Sequence, residues 1–219
     1  MSGMQALQDI KEVQRRQSPG KRPQPLAFHD GRLWLGSWET DKLYAVDPQT
    51  WAVLKEVPAP GKPFGIASFG GSLYVVVALD DDDRYLFRFD PAQGFDLTSK
   101  TACPDFTGSH LAAAGGKLYL CQQGKQRILV IDTKATVERE IALPTRCGGF
   151  NFGPGGEPFM ISADEEFESL AFARIDLRES KPSAEVIAGV PFDARGLAFD
   201  GTAWWSCERE ASEIVSFTV

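Results

Sequence analysis

Residues 25–57 read PLAFHDGRLWLGSWETDKLYAVDPQTWAVLKEV, and this stretch decides the fold because its pattern recurs along the chain. It contains an apolar pair, a tight turn, an aromatic-rich strand, a variable stretch, another strand, and an aspartate that opens a turn. The same pattern begins again at GIASFGGSLYVVVALD (65–80), HLAAAGGKLYLCQQG (110–124), GFNFGPGGEPFMISAD (149–164) and GLAFDGTAWWSCERE (196–210). Five such units predict five similar sheets.

The interval between the repeats indicates how the sheets assemble. Anchor positions recur at intervals of 40, 45, 39 and 47 residues, close to the roughly 40–45 residues of a four-stranded propeller blade. Each repeat also has a residue pair that tolerates the positive φ of a two-residue hairpin. The anchors are Leu26, Ile66, Leu111, Phe150 and Leu197, and the pairs are Asp30-Gly31, Gly70-Gly71, Gly115-Gly116, Gly155-Gly156 and Asp200-Gly201. We therefore expect an all-β fold, a five-bladed β-propeller of four-stranded antiparallel blades.

The fifth repeat reaches Val219 after its third strand and lacks an outer strand. Near the other end, Lys11-Glu12-Val13 resembles Lys55-Glu56-Val57, the outer strand of the first repeat. We expect about residues 10–17 to form the outer strand of blade five, and residues 1–7 to be disordered. Residues 1–219 would then be a single β-propeller domain whose N-terminal strand closes the last blade.

Composition narrows the functional classes. The chain has 219 residues and a formal net charge of −7. It has no basic excess to displace counterions from phosphates, so we expect no nucleic-acid partner. The opening MSGMQALQDIKEVQRRQ has no apolar core of signal-peptide length, and no apolar run approaches a membrane span. We expect no membrane partner, a cytoplasmic location, and free thiols at Cys103, Cys121, Cys147 and Cys207.

Strand order within a blade divides the loops between two faces. With the strands named A to D from the axis outward, the A–B and C–D turns share one face, and the B–C loops and D–A connections share the other. The second set is longer and more varied, and loops on a rigid scaffold commonly carry function. We predict that this B–C/D–A face is the working face. Its many carboxylates and few cations indicate either a funnel for an amphoteric or cationic small ligand or an ordinary solvated rim.

His110 lies in a column that small residues occupy in the other repeats. Those residues are Pro25, Gly65, Gly149 and Gly196. Small side chains let inner strands approach the axis, so the imidazole should protrude toward the channel. There it suits acid–base chemistry near neutral pH, and the alternative is a structural residue that plugs the channel.

Metal binding stays open at this point. Asp80 to Asp83 supply oxygen ligands of the kind calcium prefers, but the spacing and glycine of an EF-hand loop are absent, which favours a solvated, self-repelling hairpin tip. The cysteines and His110 could converge on zinc or form a Cys–His nucleophile pair. The cofactor is therefore unknown, with a divalent cation such as calcium as one option.

The repeats PLAFHDGRLWLGSWETDKLYAVDP and GLAFDGTAWWSCEREASEIVSF resemble those of the propeller group that contains gluconolactonase-like proteins, virginiamycin B lyase and YVTN/NHL-type repeat proteins. The resemblance covers nearly the whole chain and implies the fold. Gluconolactonase-like enzymes are six-bladed and bind an axial divalent cation through Glu, Asn and Asp, to which Asn151 is the one suggestive match. The predicted blade count is that of bacterial and plant-type glutaminyl cyclases. Their characteristic glutamate motif after the first hairpin is not found here, and Glu39 in GSWETDKLY matches it only loosely in position.

Together these features predict a small-molecule enzyme, a hydrolase, lyase or cyclotransferase, that acts in the axial funnel on the B–C/D–A face. His110 would be the acid or base, and Arg146 and Arg195 would clamp an anionic group unless they form ion pairs between blades. Additional carboxylates would come from Glu39, Asp164 or Glu208. The alternative is a non-catalytic module that presents the same face to a ligand or a protein partner. An exposed His110 in a deep pocket favours the enzyme, and a sealed axis favours the module.

Overall fold

The computed structural model describes residues 8–80 and 82–219, so the expected disorder of residues 1–7 lies outside the described residues. The strands of the described chain form five four-stranded antiparallel sheets. The inner strands of consecutive sheets contact each other around the ring, and the fifth sheet contacts the first. The predicted five-bladed β-propeller is confirmed.

Each blade comprises strands A to D in order from the axis outward. Blade one has β2 (Pro23–His29), β3 (Arg32–Ser37), β4 (Lys42–Val46) and β5 (Val53–Pro58); blade two has β6 (Lys62–Phe69), β7 (Ser72–Ala78), β8 (Arg84–Asp90) and β9 (Gly94–Ala102); blade three has β10 (His110–Ala114), β11 (Lys117–Gln122), β12 (Arg127–Ile131) and β13 (Val137–Ala142). Blade four has β14 (Arg146–Phe152), β15 (Pro158–Ala163), β16 (Leu170–Ile175) and β17 (Ala184–Gly189), and blade five has β18 (Ala194–Phe199), β19 (Trp204–Glu208), β20 (Glu213–Thr218) and β1 (Lys11–Gln17). Short 3-10 turns span Pro104–Phe106, Gln123–Lys125 and Pro154–Gly156.

The N-terminal strand closes the ring as predicted. β1 pairs antiparallel with β20, with Lys11 opposite Thr218. Ile10 precedes the strand, and its backbone N–H donates to the Gly189 carbonyl at 2.9 Å. Its side chain is buried in the apolar cluster between blades four and five. The closing segment is therefore held both by a strand ladder and by one buried side chain.

The register of this strand differs from the one that the sequence resemblance suggests. Val57 pairs with Leu43 in blade one, and the position equivalent to Leu43 in blade five is Ile214. Ile214 pairs with Arg16, whereas Val13 lies at a β-bulge and is 58% exposed. The resemblance located the right element, but the two valines do not occupy equivalent positions.

The A–B turns follow the prediction in three blades. Blades one to three have two-residue turns in which both residues have positive φ. The prediction was wrong for blades four and five, where residues 153–157 and 200–203 connect the strands. In blade five the Asp200 carboxylate accepts hydrogen bonds from the backbone N–H groups of Thr202 and Ala203, which stabilises the longer turn.

Five apolar clusters lie between consecutive blades and hold the ring together. One strand-B position in each blade presents an aromatic side chain to the next blade, and these are Trp34, Tyr74, Tyr119, Phe159 and Trp205. In blade five the sequence pattern favours Trp204, but Trp205 is the residue that pairs with Ala198, the equivalent of Ala27 opposite Trp34. Leu197 and Trp205 are eight residues apart, as are Leu26 and Trp34, so the assignment to Trp204 was one residue out of register.

Small residues bring the inner strands close together at the axis. A Cβ atom on Gly149 would lie 2.5 Å from the carbonyl carbon and oxygen of Gly196. Gly196 itself has a φ of 68°, which a residue with a side chain rarely adopts. His110 is the one large side chain in this column, so it sits where the ring is tightest.

Among the described residues, no helix has the length and apolar character needed to cross a membrane.

Candidate functional site

A pocket of about 220 Å³ lies near the axis on the B–C/D–A face. Most of its wall comes from two sets of equivalent positions. The first set lies two residues before the anchor position of each inner strand and comprises Gln24, Phe64, Ser109 and Arg195. The second set directly follows strand B and comprises Trp38, Gln123 and Arg209. Arg84, the first residue of β8, completes the wall. Four of the five blades therefore contribute side chains to one pocket, which we call the arginine pocket.

Arg84 is a buried cation with little compensation. Its side chain is 16% exposed, and its Nη1 donates to the Gly108 carbonyl at 2.9 Å. The Asp82 carboxylate lies 3.8 Å from Nη2 and is largely exposed to solvent. The Nε atom is buried and has no hydrogen-bond partner among the described residues. Burial lowers the pKa of Arg84, which shows that the protein offsets this charge poorly.

The positive charge of Arg209 is compensated by the protein still less than that of Arg84. Its Nη2 donates to the Gln24 side-chain oxygen at 2.7 Å, and its buried Nε has no partner in the described part of the chain. No described carboxylate lies within ion-pair distance of it. Burial, and then repulsion by Arg195, lower the pKa of Arg209 to about 10. At neutral pH the side chain is a desolvated cation next to another cation.

Arg195 has a counterion. Its Nη1 lies 2.6 Å from Asp193 Oδ1 and also donates to the Ala194 carbonyl. The guanidinium lies over the Phe167 ring at 4.3 Å, and its pKa is lowered by burial despite Asp193. Phe167 has a φ of 60°, so the backbone of the B–C loop of blade four is strained at this residue.

Two aromatic rings separate Arg209 from Arg84. The Arg209 guanidinium lies 4.4 Å from the Trp38 ring, and the Arg84 guanidinium lies 3.8 Å from the Phe64 ring. The Trp38 and Phe64 ring centroids are 4.5 Å apart, and Trp38 Nε1 donates to the Pro63 carbonyl. We call these four residues the arginine–aromatic stack. It fixes a cation at each end of an aromatic pair.

His110 lies on the axis but outside this pocket. It is 3% exposed and borders an axial cavity of about 10 Å³, roughly the space that one water molecule occupies. Its Nε2 is buried and has no partner in the described chain. Burial, followed by the charges of Arg195, Arg209 and Arg84, lowers the pKa of His110 to about 3. The ring is neutral at pH 7 and does not line the arginine pocket.

The other predicted site residues are dispersed. Arg146 begins β14, does not line the pocket, and has a buried Nε without a partner among described residues. Glu39 is exposed and lies 3.4 Å from Lys21. Asp164 organises its own loop, because its two oxygens accept the backbone N–H groups of residues 168 and 169. Glu208 is buried at the end of β19, and burial raises its pKa.

Of the six predicted catalytic residues, the pocket therefore contains only Arg195. The catalytic roles of His110, Arg146, Glu39, Asp164 and Glu208 stay predictions, and the structure does not bring these side chains together in the pocket.

Among the residues that the structure describes, no group of three or more His, Cys, Asp or Glu side chains is placed to hold a metal ion. Asp81, in the middle of the aspartate run, lies outside them. Asn151 donates its side-chain N–H to the Leu197 carbonyl, so its amide joins blades four and five.

The four cysteines are free and buried. Burial raises the pKa of Cys103 to about 12, and a hydrogen bond with Cys147 together with burial raises the pKa of Cys121. Thiols in this state are poor nucleophiles and poor metal ligands.

Arg84 and Arg209 were not predicted from the sequence. Arg209 is equivalent to Trp38 only when Trp205 is aligned with Trp34, and the alignment through Trp204 places Glu208 there instead. A side chain that reaches inward from strand C, as Arg84 does, has no signature in the repeat.

No protein-family model matches this sequence, and no curated protein matches it significantly. Solved structures do match. Glutaminyl cyclase from Myxococcus xanthus has a TM-score of 0.72 at 12% identity, over 96% of this chain and 98% of the cyclase. PQQ-bound aldose sugar dehydrogenase from Streptomyces coelicolor has a TM-score of 0.62 at 13% identity, over 96% of this chain and 81% of the dehydrogenase.

Virginiamycin B lyase from Staphylococcus aureus has a TM-score of 0.56 at 15% identity, over 90% of this chain and 66% of the lyase chain, so this chain spans just under two thirds of the lyase. At sequence identities this low, the similarity supports only the fold. The resemblance to the lyase and cyclase propellers is thus confirmed at the level of the fold, and the chain is a five-bladed β-propeller whose structural neighbours include enzymes.

Proposed function

We propose that this propeller binds a small organic anion in the pocket that Arg84, Arg195 and Arg209 line. A buried guanidinium without a counterion costs several kcal/mol of desolvation free energy. A carboxylate can offset that cost, because it accepts two parallel N–H donors from one guanidinium. The pocket therefore suits an anion better than the cationic or amphoteric ligand that the acidic loops suggest.

One observation supports the proposal above the others, namely the state of Arg209. Its side chain is half-buried beside Arg195, with a buried Nε, and it opens onto the pocket without an ion-pair partner among the described residues. Groups held in an unfavourable state in this way commonly mark binding sites. A bound anion would relieve both the desolvation and the repulsion between the two arginines.

The dimensions and surroundings of the pocket restrict the ligand. A volume of about 220 Å³ is below the usual range for drug-sized ligands. Exposed acids such as Glu39, Asp82 and Glu210 lie in the surrounding loops and repel extended polyanions. Both features support the predicted small-molecule partner and the predicted lack of a nucleic-acid partner.

The pocket supports binding more directly than catalysis. None of its lining residues is a histidine, carboxylate or thiol, and His110 is sealed beneath it. By the criterion set from the sequence, a sealed axis favours the non-catalytic module. The enzymatic alternative, a hydrolase, lyase or cyclotransferase, would have to work with arginine and serine side chains at this site.

Isothermal titration with acetate, benzoate, phosphate and methylammonium tests the proposal. We expect the carboxylates to bind and methylammonium not to bind. Arg209→Gln should weaken carboxylate binding by about 10- to 100-fold, the effect of losing one charged hydrogen-bonding group. Arg174→Gln is the matched control, because Arg174 pairs with Glu185 in blade four and does not line this pocket.

Equal affinities in the two variants, or no anion binding at millimolar concentration, would contradict the proposal. The same samples should be followed by NMR, because chemical conversion of a bound ligand would revive the enzymatic prediction.

A further inference from the structure

We infer that the ligand is a short dicarboxylate, with one carboxylate held at Arg84 and the other held at Arg209 and Arg195. This inference rests on the proposed function and specifies the substrate class for that same pocket.

The cations form two centres. Arg195 and Arg209 come from blade five, and Arg84 comes from blade two, with blade one between them in the ring. Arg195 lies close enough to Arg209 to lower its pKa, whereas the Arg84 guanidinium lies over the Phe64 ring of blade two. The pocket therefore has a doubly cationic side and a singly cationic side.

The arginine–aromatic stack keeps these centres apart. Each terminal guanidinium lies against its own ring, and the Trp38 and Phe64 rings lie against each other. Trp38 is anchored by its hydrogen bond to the Pro63 carbonyl, and Arg84 by its hydrogen bond to the Gly108 carbonyl. A single carboxylate lying against Arg209 leaves Arg84 with only the Gly108 carbonyl and the exposed Asp82 carboxylate at 3.8 Å. Two carboxylates joined by a short apolar chain would bind both guanidiniums.

The remaining wall excludes an ammonium group. The other lining side chains are Gln24, Ser109 and Gln123, which are neutral. Asp193, the nearest carboxylate to Arg195, is already paired with it at 2.6 Å. An amino dicarboxylate would place its cation among guanidiniums with no acid to receive it, so we expect the ligand to lack that group.

Titration with matched ligands tests the inference. Succinate, glutarate and adipate are compared with their half-amides, which keep the shape and remove one charge, and with aspartate. We expect at least one diacid to bind about tenfold or more tightly than its half-amide, equivalent to 1.4 kcal/mol, and succinate to bind more tightly than aspartate.

Variants then assign the two ends. Arg84→Gln should reduce the diacid affinity to about the level of the half-amide and change the half-amide affinity little, so that the gap between the two ligands closes. Arg84→Lys keeps the charge and should preserve part of the gap. Thermal unfolding of each variant, beside Arg174→Gln, shows whether the fold is intact.

The outcomes separate the inference from the proposed function. If diacid and half-amide bind equally and Arg209→Gln weakens both, the anion site stands and the dicarboxylate inference is wrong. If Arg84→Gln weakens both ligands by the same factor, the inference is also wrong. If none of these anions binds to the unmodified protein, the proposed function fails with it.

Discussion

His110 is a buried imidazole at the point where the inner strands of neighbouring blades approach each other. The repeat alignment identifies it as the large side chain in a column of small ones, and the structure confirms that the column lies where inner strands meet. Its environment could not be predicted from the sequence, because the three arginines that surround it come from two other blades. The result is a neutral buried imidazole beneath a cationic pocket.

The protonation of His110 should control acid stability. The folded pKa of about 3 lies below the ordinary value of 6.5, so the unfolded chain binds a proton in this window and the folded protein does not. The stabilisation from neutral His110 is therefore complete above about pH 6.5 and declines as the pH falls toward 3. We expect a loss of about 1.4 kcal/mol per pH unit relative to His110→Gln.

Urea denaturation of both proteins between about pH 7 and pH 5 measures this difference, because the comparison concerns the slope with pH rather than the absolute stability. Parallel pH dependences in the two proteins would show that His110 is protonated in the folded state or does not contribute.

At the scale of the element, the closing strand β1 was predictable and its register was not. A blade with three strands needs a fourth, and the N-terminal segment supplies it. Its residues alternate poorly between buried and exposed positions, so the amino-acid pattern specifies register only weakly. The bulge between Glu12 and Gln14 then shifts the pairing that the resemblance to the first repeat suggests.

Ile10 should stabilise the closure more than any apolar side chain within β1 itself. Ile10→Ala removes a buried side chain from the cluster between blades four and five, and should lower the free energy of unfolding by about 2–4 kcal/mol. Val13→Ala is the control, because Val13 is 58% exposed and its truncation should change stability by less than about 0.5 kcal/mol. Urea denaturation measures the free energy of unfolding of both variants. Equal losses would show that burial of the Ile10 side chain does not stabilise the closure.

At the scale of the whole molecule, the repeat interval predicted the ring and the number of blades. The pocket could not be derived in the same way, since Arg84, Arg195 and Arg209 converge only after blades two and five are placed around one axis. Arg209 was missed because the aromatic position of blade five was assigned to Trp204 rather than to Trp205. The cytoplasmic location stays a prediction.

Closure of the ring should also keep the molecule from associating. Deleting residues 1–17 removes β1 and leaves the backbone groups of β20 unpaired at a sheet edge. We expect the shortened protein to form larger species as its concentration rises, measured by light scattering against the full chain. A synthetic peptide of residues 8–22, which contains β1, should prevent the formation of these larger species. If the peptide has no effect on light scattering, the association results from unfolding rather than from the open sheet edge.

The arginine–aromatic stack has an optical consequence. Trp38 is the only one of the five tryptophans that lines the arginine pocket, and the Arg209 guanidinium lies over its indole. Any anion that neutralises that guanidinium changes the electric field across the indole. The wavelength of tryptophan fluorescence emission should therefore shift when the pocket is occupied, without an attached dye.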